Sequence, residues 1–167
     1  MKSLQNAKKS LGQNFLIDKN IINKIIKIGD INKYKTVMEI GAGYGNLTNS
    51  IASMKAKKIL AIEKDNKLAL ILEKKFKNSK NIEIINQDIL NLIDQFNSES
   101  KVIVFGNLPY NISTKILSLL IMLNKWPPWY DILILMFQKE VADRIVAKTH
   151  TKEFGRLSIL SNWRLEV

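Results

Sequence analysis

The 167-residue sequence has no cysteine and one histidine, His150. Disulfides and thiolate metal sites are thereby excluded, and a single imidazole cannot assemble a zinc cluster of the usual kind, so no metal is expected. No Ser-His-Asp order suggests a hydrolytic triad, and His150 reads as a loop residue rather than a catalyst. The lack of thiols fits a reducing, cytoplasmic setting. No apolar run approaches the roughly 18 residues of a membrane span, and the N-terminal MKSLQNAKKSLGQNF lacks the apolar segment of a signal peptide. A soluble protein without a membrane partner is expected. Acids are scarce as well: 15 Asp and Glu stand against 26 Lys and Arg, for a formal net charge of +11. Such an excess suits an anionic partner, nucleic acid or an acidic membrane surface. The abundance of Lys, Ile and Asn also follows from A/T-rich codons, so part of the charge carries no function.

What is present fits one globular domain, residues 1–167, with 46% hydrophobic and 25% charged residues. Five short, apolar, β-branched runs read as buried strands: Thr36 to Ile40, Lys58 to Ile62, Ile82 to Asn86, Lys101 to Phe105 and Asp131 to Phe137. Between them lie helical periods. Residues 66–76 place Leu68, Leu72 and Phe76 on one side and most of their lysines on the other, and Ser113 is expected to cap a helix that Pro127-Pro128 ends. Asp18 to Ile28 reads as an amphipathic helix. It follows a basic arm, and together they make up residues 1–35, where eight lysines face two aspartates. Strands alternating with helices imply an open α/β sheet, mostly parallel, with helices on both faces. The last four residues, Arg164 to Val167, look like the start of a further strand, so a C-terminal truncation is expected.

Chemistry gathers at the strand ends. Glu39-Ile-Gly-Ala-Gly-Tyr-Gly-Asn46 leaves the first strand and enters a helix, so Gly41 and Gly43 let backbone approach a ligand. The spacing is not the G-x-G-x-x-G of a dinucleotide site, because the third glycine comes one place early and Asn46 stands sixth. No phosphate-binding P-loop is present either. Glu63 ends the second strand some 20 residues after the glycines and suits the two hydroxyls of a ribose. Asp88 ends the third and is placed to accept from an adenine amino group. Asn107-Leu108-Pro109-Tyr110 ends the fourth, at the edge where the carboxyl ends of parallel strands converge.

These features resemble the class I S-adenosylmethionine-dependent methyltransferases. Residues 107–110 resemble the [Asn/Asp]-Pro-Pro-[Tyr/Phe] signature of methylases that act on planar amino groups, with Leu108 in the first proline position. The resemblance implies that the Asn107 side-chain oxygen and the Leu108 carbonyl accept the two hydrogens of an exocyclic amine. Pro109 would fix the turn and Tyr110 would stack on the base. Lys8 to Asp18, Asn107 to Thr114, Phe137 to Ile145 and Phe154 to Ser158 resemble the ribosomal RNA adenine N6,N6-dimethyltransferases, over nearly the whole chain. In that family Gln, Asn and Leu of the N-terminal motif close over the methionine end of the cofactor, which points to Gln13, Asn14 and Leu16. The implied substrate is two adjacent adenosines near the 3′ end of small-subunit rRNA in an immature subunit, bound by a monomer. Gly12 and residues 154–158 favour that enzyme over its relatives, the macrolide-resistance methylases of large-subunit rRNA. A DNA or protein amino-methylase and a non-catalytic assembly factor of the same fold are the other readings. Lys8 and Lys9 are the candidate RNA contacts, extended by Lys139, Arg144 and Arg156, with pairing of Lys139 and Arg144 to Glu140 and Asp143 along their helix as the equal alternative. Trp126 and Trp129 are expected to pack a loop rather than stack bases.

Overall fold

The computed structural model describes residues 15–167. Its five strands are β1 (Thr36–Ile40), β2 (Lys58–Ile62), β3 (Ile82–Ile85), β4 (Val102–Asn107) and β5 (Tyr130–Met136). They form one sheet in the order β3-β2-β1-β4-β5, and every pairing is parallel. The helices are α1 (Lys19–Ile28), α2 (Asn46–Ser53), α3 (Asn66–Lys75), α4 (Ile89–Leu92), α5 (Ser113–Ile121), α6 (Lys139–Ile145) and α7 (Arg156–Arg164).

The central strands are apolar at nearly every position because both faces of the sheet are covered. Met38, Ile40, Leu60, Ile62, Val102 and Val104 point to one face, where α4 and α5 supply Ile89, Ile116 and Leu120. The alternate residues Val37, Ile59, Ile103 and Phe105 point to the other, against Ile22, Ile25 and Ile26 of α1 and Leu47 and Ile51 of α2. Each such side chain contributes about 1.5–3 kcal/mol by leaving water. On α3, Leu72 packs with the following Phe76 over Ala61 on the same face as α2, while Ile145 of α6 and Leu157 of α7 pack beside α5.

Several local expectations are corrected. Ser113 opens α5 but does not cap it: Ile112 holds the cap position, and the Ser113 hydroxyl donates to the Tyr110 carbonyl at 3.2 Å. The same helix ends at Ile121, well before the prolines. Its last carbonyls are taken up by the Tyr130 hydroxyl on Leu120 at 2.9 Å and by Arg164 on Ile121 and Leu123 at 3.0 Å. Arg164 itself closes α7, and residues 165–167 pair with none of the described strands. Among the described residues no helix is long and apolar enough to cross a membrane.

Candidate active site

In a parallel sheet all strands end at one edge, and the loops leaving β1 to β4 there surround a cleft of about 220 Å³. Gly41, Gly43, Glu63, Asp88, Asn107, Pro109 and Leu16 all line it. Residues 41, 63, 88 and 107, which stand up to 66 positions apart in the chain, thus share one cavity. Gln13, Asn14, Lys8 and Lys9 lie outside the described residues.

The glycine loop after β1 is bent by left-handed glycines at alternate positions: Gly41 at φ +74°, Gly43 at +58° and Gly45 at +72°. Their roles differ. A Cβ on Gly41 would meet only the Asn107 carbonyl, at 3.6 Å, so this glycine serves the turn. On Gly45 it would come within 2.7 Å of Leu72 and Phe76, so this glycine also lets the loop lie flat against α3. From α3, Lys75 reaches back and donates to the carbonyls of Tyr44 at 2.8 Å and Gly45 at 3.0 Å. Lys75 is therefore a clamp on the loop rather than a member of the solvated face, and burial lowers its pKa.

Glu63 is 7% exposed and its two oxygens accept from the Gly43 N–H and the Asp65 N–H, each at 2.8 Å. It thereby ties the glycine loop to the end of β2, and each oxygen keeps a further lone pair for a ligand. Asp88 caps α4 by accepting from the Leu90 N–H at 3.0 Å, and its other oxygen meets the Lys64 ammonium at 2.6 Å. Burial pushes the Asp88 carboxyl up, but Lys64, the Leu90 N–H and the charge of Lys115 together outweigh it and leave the carboxyl below its usual range.

Glu39, to which the sequence reading gave no role, also lines the cleft. It is 2% exposed, accepts from the Thr48 hydroxyl at 2.5 Å, and its carboxyl is pushed up to about 8. Burial is the main cause, the Thr48 hydrogen bond opposes it, and the nearby Glu63 adds to it. Its signal in the sequence was an acid within an otherwise apolar strand. Phe15, Tyr44 and Asn46 were missed too. Asn46 donates to the Leu16 carbonyl at 2.9 Å, and the Phe15 and Tyr44 rings meet edge to face at 4.7 Å. The segment before α1 is so fastened over the glycine loop.

At the end of β4 the four motif residues divide. Asn107 and Pro109 line the cleft, Leu108 is 1% exposed in the core, and Tyr110 is 40% exposed and outside the cleft lining. The turn is closed by the Ile112 N–H on the Pro109 carbonyl at 3.1 Å. Elsewhere, Lys139 is engaged by Asp143 at 2.7 Å, and His150 sits exposed in a turn. Trp129 packs on Phe96 and donates to the Ile93 carbonyl at 3.3 Å. Trp126 lies under the Arg164 guanidinium, 4.8 Å from its ring centre. Among the described residues no group of His, Asp or Glu could hold a metal.

An adenosyl ligand fits these donors and acceptors: a buried carboxylate for a diol, an ionised one for an amino group, and a glycine loop for close backbone approach. The sheet order and the placing of the glycines and acids define the class I S-adenosylmethionine-dependent methyltransferase fold. Within it, the chain belongs to the ribosomal RNA adenine dimethylase family, whose sequence model matches residues 4–167. It is 54% identical over 161 residues to ribosomal RNA small subunit methyltransferase A of Pelagibacter ubique, covering 96% of this chain and 60% of that protein. To the protein of the same name in Nitrobacter winogradskyi it is 41% identical, covering 96% and 56%. The chain therefore spans less than two thirds of the length of these curated relatives.

Among solved structures, a dimethyladenosine transferase from Plasmodium falciparum superposes with a TM-score of 0.74 at 30% identity, over 88% of this chain and 51% of that one. The 23S rRNA methyltransferase ErmE does so with a TM-score of 0.69 at 28% identity, over 89% and 55%.

Proposed function

We propose that this chain transfers methyl groups from S-adenosylmethionine to the N6 amino groups of two adjacent adenosines near the 3′ end of small-subunit rRNA, giving N6,N6-dimethyladenosine. Its substrate is the rRNA of an immature small subunit in the cytoplasm, taken by a single copy of the chain without a metal. One observation carries the reading: Gly41, Glu63, Asp88, Asn107 and Pro109 line a single cleft, and the next residue, Tyr110, is exposed and not part of the lining. The curated relatives named for small-subunit methylation support the choice of RNA.

The chemistry asks little of the protein beyond placement. The cofactor supplies a methyl group already activated by positive sulfur. An exocyclic amine is a weak nucleophile because its lone pair is delocalised into the ring, so its hydrogens must be held and its nitrogen aimed. The Asn107 side-chain oxygen and the Leu108 carbonyl accept those hydrogens, and Pro109 keeps the two acceptors at a fixed angle. As the N–C bond forms and the S–C bond breaks, the nitrogen sheds a proton to water. Tyr110, exposed beside the cleft, offers its ring to a base turned out of the RNA. Leu16, with Gln13 and Asn14 of the same motif, would cover the methionine end of the cofactor.

The test is to incubate the protein, in parallel, with unmodified small ribosomal subunits, large-subunit RNA, naked DNA and peptide, each with methyl-labelled cofactor, then map the label. Label on two adjacent adenosines near the 3′ end is expected. Label confined to large-subunit RNA, DNA or peptide would contradict the proposal, the first outcome favouring the reading that the ErmE likeness supports.

A further inference from the structure

Lys64 and Asp88 both line the cleft, and their ion pair joins the segment after β2 to the segment after β3. Its two members differ in setting: the Lys64 side chain is 58% exposed and that of Asp88 only 19%. As a surface ion pair it would add little to stability. Its effect on direction is larger. Asp88 Oδ1 is fixed by the Leu90 N–H and Oδ2 by the ammonium, so the plane of the carboxylate is set before any ligand arrives. Each oxygen still has one lone pair to offer. An ammonium has donors only, so whatever it touches must be an acceptor.

Resting on the reading that Asp88 meets the adenine of the cofactor, we infer that Lys64 is a positioning residue for base selection. It holds Asp88 as an oriented, acceptor-only carboxylate that takes a 6-amino purine and refuses a 6-oxo one. Adenine presents an N–H donor at position 6. Hypoxanthine presents a carbonyl there, which would set two acceptors face to face. Only a protonated Asp88 could donate to that carbonyl, and Lys64 opposes that protonation while fixing the plane of the carboxylate. The charged groups that act on Asp88 are Lys64 from the end of β2 and Lys115 from α5, with the Leu90 N–H from α4 beside them. All three favour the ionised form.

The experiment measures binding of S-adenosylhomocysteine and S-inosylhomocysteine by calorimetry to the wild type, Lys64→Met, Lys64→Arg and Asp88→Asn, from pH 3 to 8, so that the window reaches below the ordinary aspartate value. The wild type is expected to prefer the adenosyl ligand by roughly 10-fold or more, as for a hydrogen bond to a charged acceptor. Lys64→Met keeps the aliphatic stem but should cut that preference several-fold. It should also move the acid limb of adenosyl binding to higher pH, because Asp88 then protonates more easily. Lys64→Arg should restore both. Asp88→Asn, whose amide can donate, should erase or invert the preference. If Lys64→Met keeps the full preference and an unmoved acid limb while Asp88→Asn loses the preference, the role of Lys64 is overturned and the adenine reading stands. If Asp88→Asn also keeps the preference, the adenine reading falls with it. Unfolding midpoints of the variants close to wild type would place the changes in the site.

Discussion

Replacing Glu63 with glutamine separates two duties of one buried carboxylate. Its oxygens each accept a backbone N–H at 2.8 Å, one from Gly43 and one from Asp65. Glutamine keeps the shape but offers one acceptor oxygen, so one of these N–H groups must face an NH₂. A hydrogen bond to a charged group contributes about 1.5–3 kcal/mol, which for a chain of this length lowers the unfolding midpoint by roughly 3–12 °C. The ligand side loses similarly: one of two ribose hydroxyls forfeits its charged acceptor, for a drop in affinity of roughly 10- to 150-fold. Calorimetry with S-adenosylhomocysteine and its 2′,3′-dideoxy counterpart tells the duties apart. The wild type should prefer the ligand that carries both hydroxyls, and Glu63→Gln should lose most of that preference. A variant that melts earlier yet keeps the wild-type affinity and the same ribose preference would refute the ribose role and leave Glu63 as a brace for the glycine loop.

Other perturbations test other parts of the structure. Gly45→Ala forces a Cβ into the left-handed region and to within 2.7 Å of Leu72 and Phe76, which should cost about 2–5 kcal/mol in a urea titration; a change below about 1 kcal/mol would mean that α3 yields easily. Glu39 holds its proton up to about pH 8 when folded, against an ordinary value of 4.5. The folded state then binds a proton the unfolded chain releases, so stability should fall as pH rises from about 4.5 to 8. Glu39→Gln should flatten that slope, and a variant with the wild-type slope would show that another group sets it. Tyr110→Ala should reduce methyl transfer by roughly 5- to 150-fold, the worth of one stacked base, with cofactor affinity unchanged. Tyr110→Phe should retain most of the rate, and equal losses of rate and affinity in Tyr110→Ala would remove the stacking role.

The sheet was legible because strands buried on both faces are apolar almost throughout, and all five runs fall within two residues of where the strands lie. The shared edge of Gly41, Glu63, Asp88 and Asn107 followed from parallel pairing alone. Contacts between distant segments were not legible. Nothing local marks Lys75 as a clamp on carbonyls 30 residues away, or Asn46 as the tie to Leu16. The raised pKa of Glu39 comes from burial under packed elements and from the charge of Glu63, 24 residues on at the end of the next strand, against the opposing hydrogen bond from Thr48, and local sequence shows neither the burial nor the charge. The errors at helix ends have the same origin. Ser113 has the type of a cap, but the turn at Pro109 delivers Ile112 to that place, and α5 stops where Tyr130 and Arg164 collect its carbonyls. Arg164 to Val167 has an apolar alternation that suits a strand, yet Arg164 is held by the end of α5 as the last residue of a helix.

The most direct measurement is a crystal structure of this protein with S-adenosylhomocysteine. The ribose hydroxyls should lie within hydrogen-bond reach of Glu63, the adenine amino group against Asp88, and the sulfur turned toward Asn107. A ligand seated elsewhere, or one whose sulfur faces away from the end of β4, would contradict the placing of methyl donor and amine in one cleft.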